Sequence, residues 1–80
     1  SFGMINVFPN PTSSTLKIER EYGQDALQVR LSDLRGRELL KKSFQDLFGE
    51  IDLSHLAEGV YLLHLSNSEN IGKTLRIEKR

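Results

Sequence analysis

Apolar and polar residues alternate along much of this chain, in short stretches closed by turn residues. Leu27, Val29 and Leu31 interleave with Gln28, Arg30 and Ser32, the two-residue period of a strand buried on one face. Leu16 and Ile18 do the same within Thr15–Glu19. Met4 to Phe8 is apolar and stops at Pro9-Asn10-Pro11, where two prolines withdraw ladder donors and impose extended or turn backbone. Tyr22–Asp25 predicts a turn, and Asp33-Leu34-Arg35-Gly36 a hairpin connection in which Gly36 supplies a positive φ. Val60 to Leu65 is almost continuously apolar and predicts a strand inside a sheet. Asn67–Asn70 predicts a further turn, after which Leu75 and Ile77 alternate with Thr74, Arg76 and Glu78.

Two segments need more argument. Between Arg37 and Phe48, residues Leu40, Phe44, Leu47 and Phe48 fall at helical spacing, and Glu38 precedes Lys42 by one turn. Taken alone, that segment reads equally well as an amphipathic helix. The hairpin at Gly36 leads back along Leu27–Leu31, however, and consecutive strands usually pair. The expectation is therefore a strand over Glu38–Phe44 and a turn over Gln45–Phe48. Asp52–Gly59 predicts a single helical turn, capped by Asp52 or Ser54 and ended by Gly59, with Leu53 and Leu56 pointing inward. Leu56-x-x-Gly59-x-Tyr61 suits a tyrosine corner, in which the phenol bonds backbone upstream. Six or seven strands at this spacing predict an all-β fold, a β-sandwich. Its expected core is Leu16, Ile18, Leu27, Val29, Leu31, Ile51, Leu56, Tyr61, Leu63, Leu65, Leu75 and Ile77.

At 80 residues the chain is one domain, 1–80, with residues 1–4 read as a linker remnant. It lies near the size below which an apolar core needs staples. Cysteine is absent, so neither a disulfide framework nor a thiolate zinc site is available. Eleven basic residues balance eleven acidic ones. A neutral chain without a basic stripe is a poor partner for nucleic acid or an anionic membrane. No apolar run approaches the length of a membrane span, and any export signal is expected outside these residues.

Chemistry has little to work with. Ser54 beside His55 is no dyad, because adjacent side chains seldom face each other. Asp52, His55 and Glu58 are three apart, yet one turn cannot wrap all of them around a metal. His64 alternates with Leu63 and Leu65, which points it away from the core toward a packing or hydrogen-bonding role. Gly36 and Gly49 read as single turn glycines and build no phosphate loop, and Asn10-Pro11-Thr12 fails as a glycosylation acceptor. No catalytic, metal or cofactor-binding residue is predicted.

In their order and spacing, these residues resemble the type A C-terminal sorting domain of the type IX secretion system of Bacteroidota. Val7-Phe8-Pro9-Asn10-Pro11-Thr12 is similar to that family's aromatic-Pro-Asn-Pro opening. Leu16-Lys17-Ile18 and Val29 through Arg37 follow its next blocks, with Gly36 ahead of a basic residue. Ile51 through Tyr61 resembles its most specific block, and Lys73-Thr74-Leu75-Arg76-Ile77 its closing basic and apolar strand. Two departures are the apolar Gln45-Asp46-Leu47-Phe48 and the acid of Glu78 in a basic tail. The resemblance implies a seven-stranded immunoglobulin-like antiparallel sandwich behind a larger exported cargo domain. It implies passage through the periplasm, recognition by an outer-membrane translocon, and delivery to the cell surface, with the domain removed by a sortase in most members of the family and retained in some. The motif residues it marks are Pro9, Asn10, Pro11, Gly36, Asp52, Leu56, Gly59, Tyr61, Lys73, Arg76, Lys79 and Arg80. Most are expected to serve the backbone, with recognition carried by exposed surface and by the last strand, whose edge can accept or donate main-chain hydrogen bonds. A merely solvated basic tail is the alternative, and Lys79 and Arg80 are expected to be exposed in either case. An adhesion or carbohydrate-binding sandwich is the alternative reading, though the chain has no tryptophan for a sugar to stack on. The sparsely charged Met4–Phe8 edge predicts that the isolated domain tends to form a homodimer at high concentration, by strand exchange or edge pairing.

Overall fold

The computed structural model describes residues 4–21, 25–69 and 72–80. Seven strands run in order as β1 (Ile5–Phe8), β2 (Thr15–Arg20), β3 (Leu27–Ser32), β4 (Glu38–Phe44), β5 (Phe48–Asp52), β6 (Gly59–Ser66) and β7 (Gly72–Lys79). They form a three-stranded sheet, β1-β2-β5, and a four-stranded sheet, β4-β3-β6-β7. Every ladder is antiparallel.

Alternation decides which side chains lie between the sheets. Leu16 and Ile18 of β2, Leu27, Val29 and Leu31 of β3, and Leu63 and Leu65 of β6 are all buried. Ile51, Tyr61 and Ile77 join them. Each aliphatic side chain contributes about 1.5–3 kcal/mol by leaving water, which lets so short a chain fold without staples. The expected core is reproduced except that Leu56 and Leu75 are half-buried and pack against it. Ile5 is an addition, and Leu53 is the fully buried member of the Leu53/Leu56 pair.

Strand pairing overrides helical spacing at Glu38–Phe44. The segment forms β4, with Leu31 opposite Leu40 and Leu27 opposite Phe44 and a bulge at Leu31/Ser32. The turn after it is shorter than expected, because Phe48 pairs with Glu19 and opens β5. Gly49 is likewise a strand residue, buried opposite Ile18. A Cβ there would lie 2.6 Å from the Phe44 ring. The predicted turn at Tyr22–Asp25 falls mainly on residues outside those described, as does the last residue of Asn67–Asn70. At Asn67 the side-chain carbonyl accepts the Glu69 N–H (2.9 Å).

Arg20 is the fold's unexpected core residue, 8% exposed. Its guanidinium donates to the carbonyls of Asp25 (2.9 Å), Gln45 (3.0 Å) and Asp46 (2.8 Å), with Phe44 at 3.4 Å. Several backbone dipoles thus share one charge and tie the segments after β2 and β4 together.

Candidate recognition site

The antiparallel registers bring most of the motif residues to one end of the sandwich. There β1 hands over to β2 through Pro9–Ser14, β3 to β4 through Asp33–Arg37, and β5 to β6 through Leu53–Glu58, while β7 finishes. Lys73, opposite Leu65, lies toward the other end, and Arg76, opposite Leu62, lies mid-strand. The remaining motif residues are held to one another mainly through backbone.

Asn10 acts as a detached peptide group. Its Nδ2 donates to the Arg76 carbonyl (2.9 Å), and its Oδ1 accepts the Glu78 N–H (3.0 Å). Thr12 continues the pairing: its N–H donates to the Glu78 carbonyl (2.9 Å), and its carbonyl accepts the Arg80 N–H (2.8 Å). Thr12, which is buried, also donates its hydroxyl to the Thr15 carbonyl (2.7 Å). Pro9-Asn10-Pro11-Thr12 therefore lies along the outer edge of β7, with Thr12 bridged in parallel to Lys79.

Asp52–Gly59 is a hydrogen-bonded turn and makes no helical turn. Leu56 N–H donates to the Leu53 carbonyl (3.0 Å), and Asp52 Oδ1 accepts the Ser54 N–H (2.9 Å). Leu53 N–H donates to the Ser14 carbonyl (2.6 Å), which anchors the turn to the Pro-Asn-Pro segment. The tyrosine corner is formed: Tyr61 donates its hydroxyl to the Ala57 carbonyl at 2.5 Å. Lys79, expected to be an exposed terminal residue, is buried instead. It is 7% exposed, and its ammonium donates to the Leu56 carbonyl (2.9 Å). The reason is parity, since Lys79 continues the inward row of Leu75 and Ile77 and only the underside of the turn can take up its charge.

In the β3–β4 connection, Asp33 Oδ1 accepts the N–H groups of Arg35 and Arg37, both at 2.9 Å, and Arg37 lies 3.4 Å from the carboxylate. The Arg37 N–H, then that of Arg35 and the two guanidinium charges, hold the Asp33 carboxyl below its ordinary value. At Asp52 the Ser54 hydroxyl and N–H act in the same direction, helped by His55 and Lys42. Gly36 and Gly59 have φ of +92° and +152°, values that side chains with a Cβ rarely adopt.

Several side chains at this end face outward, among them Ser54, His55 and Glu58 of the β5–β6 turn. Leu34 is 65% exposed at the hairpin tip beside exposed Arg35, and Arg76 and Arg80 are exposed along β7. A shallow depression between hairpin and strand is lined by Leu34, Arg35, Glu58, Val60 and Tyr61 among others.

Sequence reasoning passed over Arg20 and Thr12. A signal existed for the first, because Arg20 has the same parity as Leu16 and Ile18. His64 lies on the outer face, where its Nε2 is 2.9 Å from the Ser32 hydroxyl and its Nδ1 3.1 Å from that of Thr74. A hydroxyl stands where a hydrolytic triad needs a carboxylate. Among the described residues no three His, Cys, Asp or Glu side chains gather as a metal site. Nor do the described residues form any helix long and apolar enough to cross a membrane.

The fold defines an immunoglobulin-like β-sandwich. A crystal structure of a DUF3244 family protein from Bacteroides vulgatus, with that fold, superposes with a TM-score of 0.83 at 16% identity, over 95% of this chain and 83% of the other. Residues 6–78 match the secretion system C-terminal sorting domain, and the chain belongs to that family. No curated protein matches its sequence. Its function is that of a C-terminal sorting signal for type IX secretion. It meets the secretion machinery as cargo and is bound, by way of the periplasm, for the cell surface or extracellular space.

Proposed function

We propose that the outer-membrane translocon reads this domain at its motif end and along the adjoining half of β7, through Leu34, Arg35, Arg76 and Arg80. Pro9, Asn10, Pro11, Gly36, Asp52, Leu56, Gly59, Tyr61 and Lys79 build the scaffold beneath them. The observation that carries this reading is the division of labour among the motif residues. Asn10, Tyr61 and Lys79 spend their polar atoms on backbone, while Arg76 and Arg80 are exposed and hold out their guanidinium groups. Lys73, remote from that end, belongs to the basic strand but not to this surface. The domain has no catalytic role and takes no cofactor. It is one unit over residues 1–80, with residues 1–4 as linker, and a cargo domain precedes it. Because β1 starts at the Arg20 end, such a cargo would leave the motif end free. A sortase cutting ahead of the domain would release the cargo to the outer surface.

Residues 1–80, fused behind a signal peptide and a neutral reporter, test this in a Bacteroidota strain with a working type IX system. The reporter should reach the cell surface, and a translocon mutant should hold it in the periplasm. Arg76→Ser/Arg80→Ser should keep the fold, since exposed substitutions stay within about 0.5 kcal/mol, and should lose export. Normal export of that variant would move recognition off this surface. Wild-type secretion from the translocon mutant would overturn the sorting role itself.

A further inference from the structure

The Pro9–Thr12 segment does more than end β1, because it covers the edge of a strand that is well suited to pair with itself. In the order β4-β3-β6-β7, the last strand has a free side. Its even-numbered residues direct their peptide groups to that side. Arg76 C=O, Glu78 N–H, Glu78 C=O and Arg80 N–H are all taken by Asn10 and Thr12. Among the described residues, nothing pairs with the outward peptide of Thr74. Pro9 and Pro11 have no N–H, so the covering segment cannot pass the open edge on to another strand.

From this arrangement we infer that Asn10 and Thr12 close β7 against a second copy of this chain, and that removing the cover creates a two-fold dimer through paired β7 strands. Charge fixes the register. In an antiparallel β7 pair centred on Ile77, residues 76 and 78 of one copy lie opposite 78 and 76 of the other, and 74 lies opposite 80. All of these are residues whose peptides point outward, so the ladder forms in phase. Arg76 then faces Glu78 of the second copy, twice over, across a two-fold axis. A register centred on Arg76 would set Arg76 against itself. The dimer would hold one continuous sheet of eight strands, twice the four-stranded sheet seen here.

Sedimentation and amide exchange of the 80-residue chain test the inference. Wild type should sediment as one chain, the opposite of the dimer that the Met4–Phe8 edge led the sequence to predict. Asn10→Ala, which leaves the cover tied to this edge by the Thr12 backbone alone, should sediment as two at high concentration. At dilution, its Glu78 amide should exchange about tenfold faster, the equivalent of one net hydrogen bond, with the Leu63 amide unchanged. Asn10→Asp keeps the acceptor for Glu78 N–H but sets a carboxylate against the Arg76 carbonyl, and should dimerise less than Asn10→Ala. Adding Glu78→Arg to Asn10→Ala puts like charges across the axis and should restore one chain. Adding Arg76→Glu as well should bring the dimer back. A folded Asn10→Ala that stays one chain, or a Glu78 amide no faster than in wild type, overturns the inference. A dimer that persists with Glu78→Arg overturns it too, and points to exchange of β1 instead. If neither Asn10 variant folds, the segment is not a separable cover, and the inference falls.

Discussion

The two ends of the sandwich are each held by a cation on the core side of its strand, but in different ways. At one end Arg20 extends the inward row of Leu16 and Ile18 and reaches carbonyls in two separate segments. At the other, Lys79 extends the row of Leu75 and Ile77 and reaches a single carbonyl, that of Leu56. Around Lys79, however, Asn10, Thr12, Asp33, Asp52 and Tyr61 each fix backbone of their own. The Arg20 end concentrates its closure in one forked donor, and the motif end spreads it over many short links. Many local links need many particular residues, and one guanidinium needs only carbonyls, which every residue supplies.

The comparison predicts that the ends fail unequally. Arg20→Met takes a shared donor from several carbonyls, leaves a gap in the buried row of β2, and should cost about 3 kcal/mol. Lys79→Met strands one carbonyl and should cost about 1–2 kcal/mol. Urea midpoints at unchanged slope measure both. In a domain whose total stability can be as small as about 5 kcal/mol, the first loss removes most of it. Arg20→Lys sharpens the point, because an ammonium keeps the charge but cannot fork across spread acceptors. It should recover less than half of what methionine loses. Equal losses for Arg20→Met and Lys79→Met would erase the distinction between the ends.

A smaller effect follows at the motif end, where links are shared. Tyr61→Phe keeps the ring in the core and removes only the bond to the Ala57 carbonyl. The melting temperature should fall by the equivalent of about 1 kcal/mol, the net value of one hydrogen bond. Amide exchange should quicken at Leu56, whose N–H closes the turn beneath it, while Arg20-end amides such as Leu27 hold steady. Faster exchange at both ends would mean that the corner supports the whole sandwich.

Most of the fold was legible because parity is a local property. Leu27–Leu31 and Thr15–Glu19 announce their buried faces within a few residues, and the tyrosine corner follows from fixed spacing between Leu56 and Tyr61. What escaped were contacts between residues distant in sequence. Nothing near Asn10 says that its amide will meet Arg76 and Glu78, 66 and 68 positions away. The same holds for Arg20 and Lys79. Parity places both inside, but charge argues for the surface, and the carbonyls that settle the conflict lie on other segments. Asp52–Gly59 read as helical because capping residues and turn residues are the same types, Asp and Ser ahead of Gly. The motif residues were legible as a set, whereas their division into scaffold and surface needed the register of β6 with β7.

The mildest way to separate the ends is acid. Asp33 and Asp52 at the motif end both have carboxyls held below the ordinary value of 3.8, by the Arg37 and Arg35 N–H groups at one and by Ser54 at the other. A carboxyl lowered on folding contributes stability that is present above its unfolded value and is lost as pH falls through its lower folded one. The motif end should therefore weaken below about pH 4. The Arg20 end should not weaken for this reason, since its closure joins a guanidinium to carbonyls that do not titrate. Melting temperatures of wild type, Asp33→Asn and Arg20→Met between about pH 2 and 7 make the test. The side-chain amide oxygen of Asp33→Asn can still accept both N–H groups, but the amide cannot gain or lose a proton in this range. The gap between wild type and Asp33→Asn should be widest near neutral pH and close as the acid limb is descended. The gap between wild type and Arg20→Met should stay constant over the same range. If the Arg20→Met gap also closes in acid, the two ends share one titrating network and the contrast between them is lost.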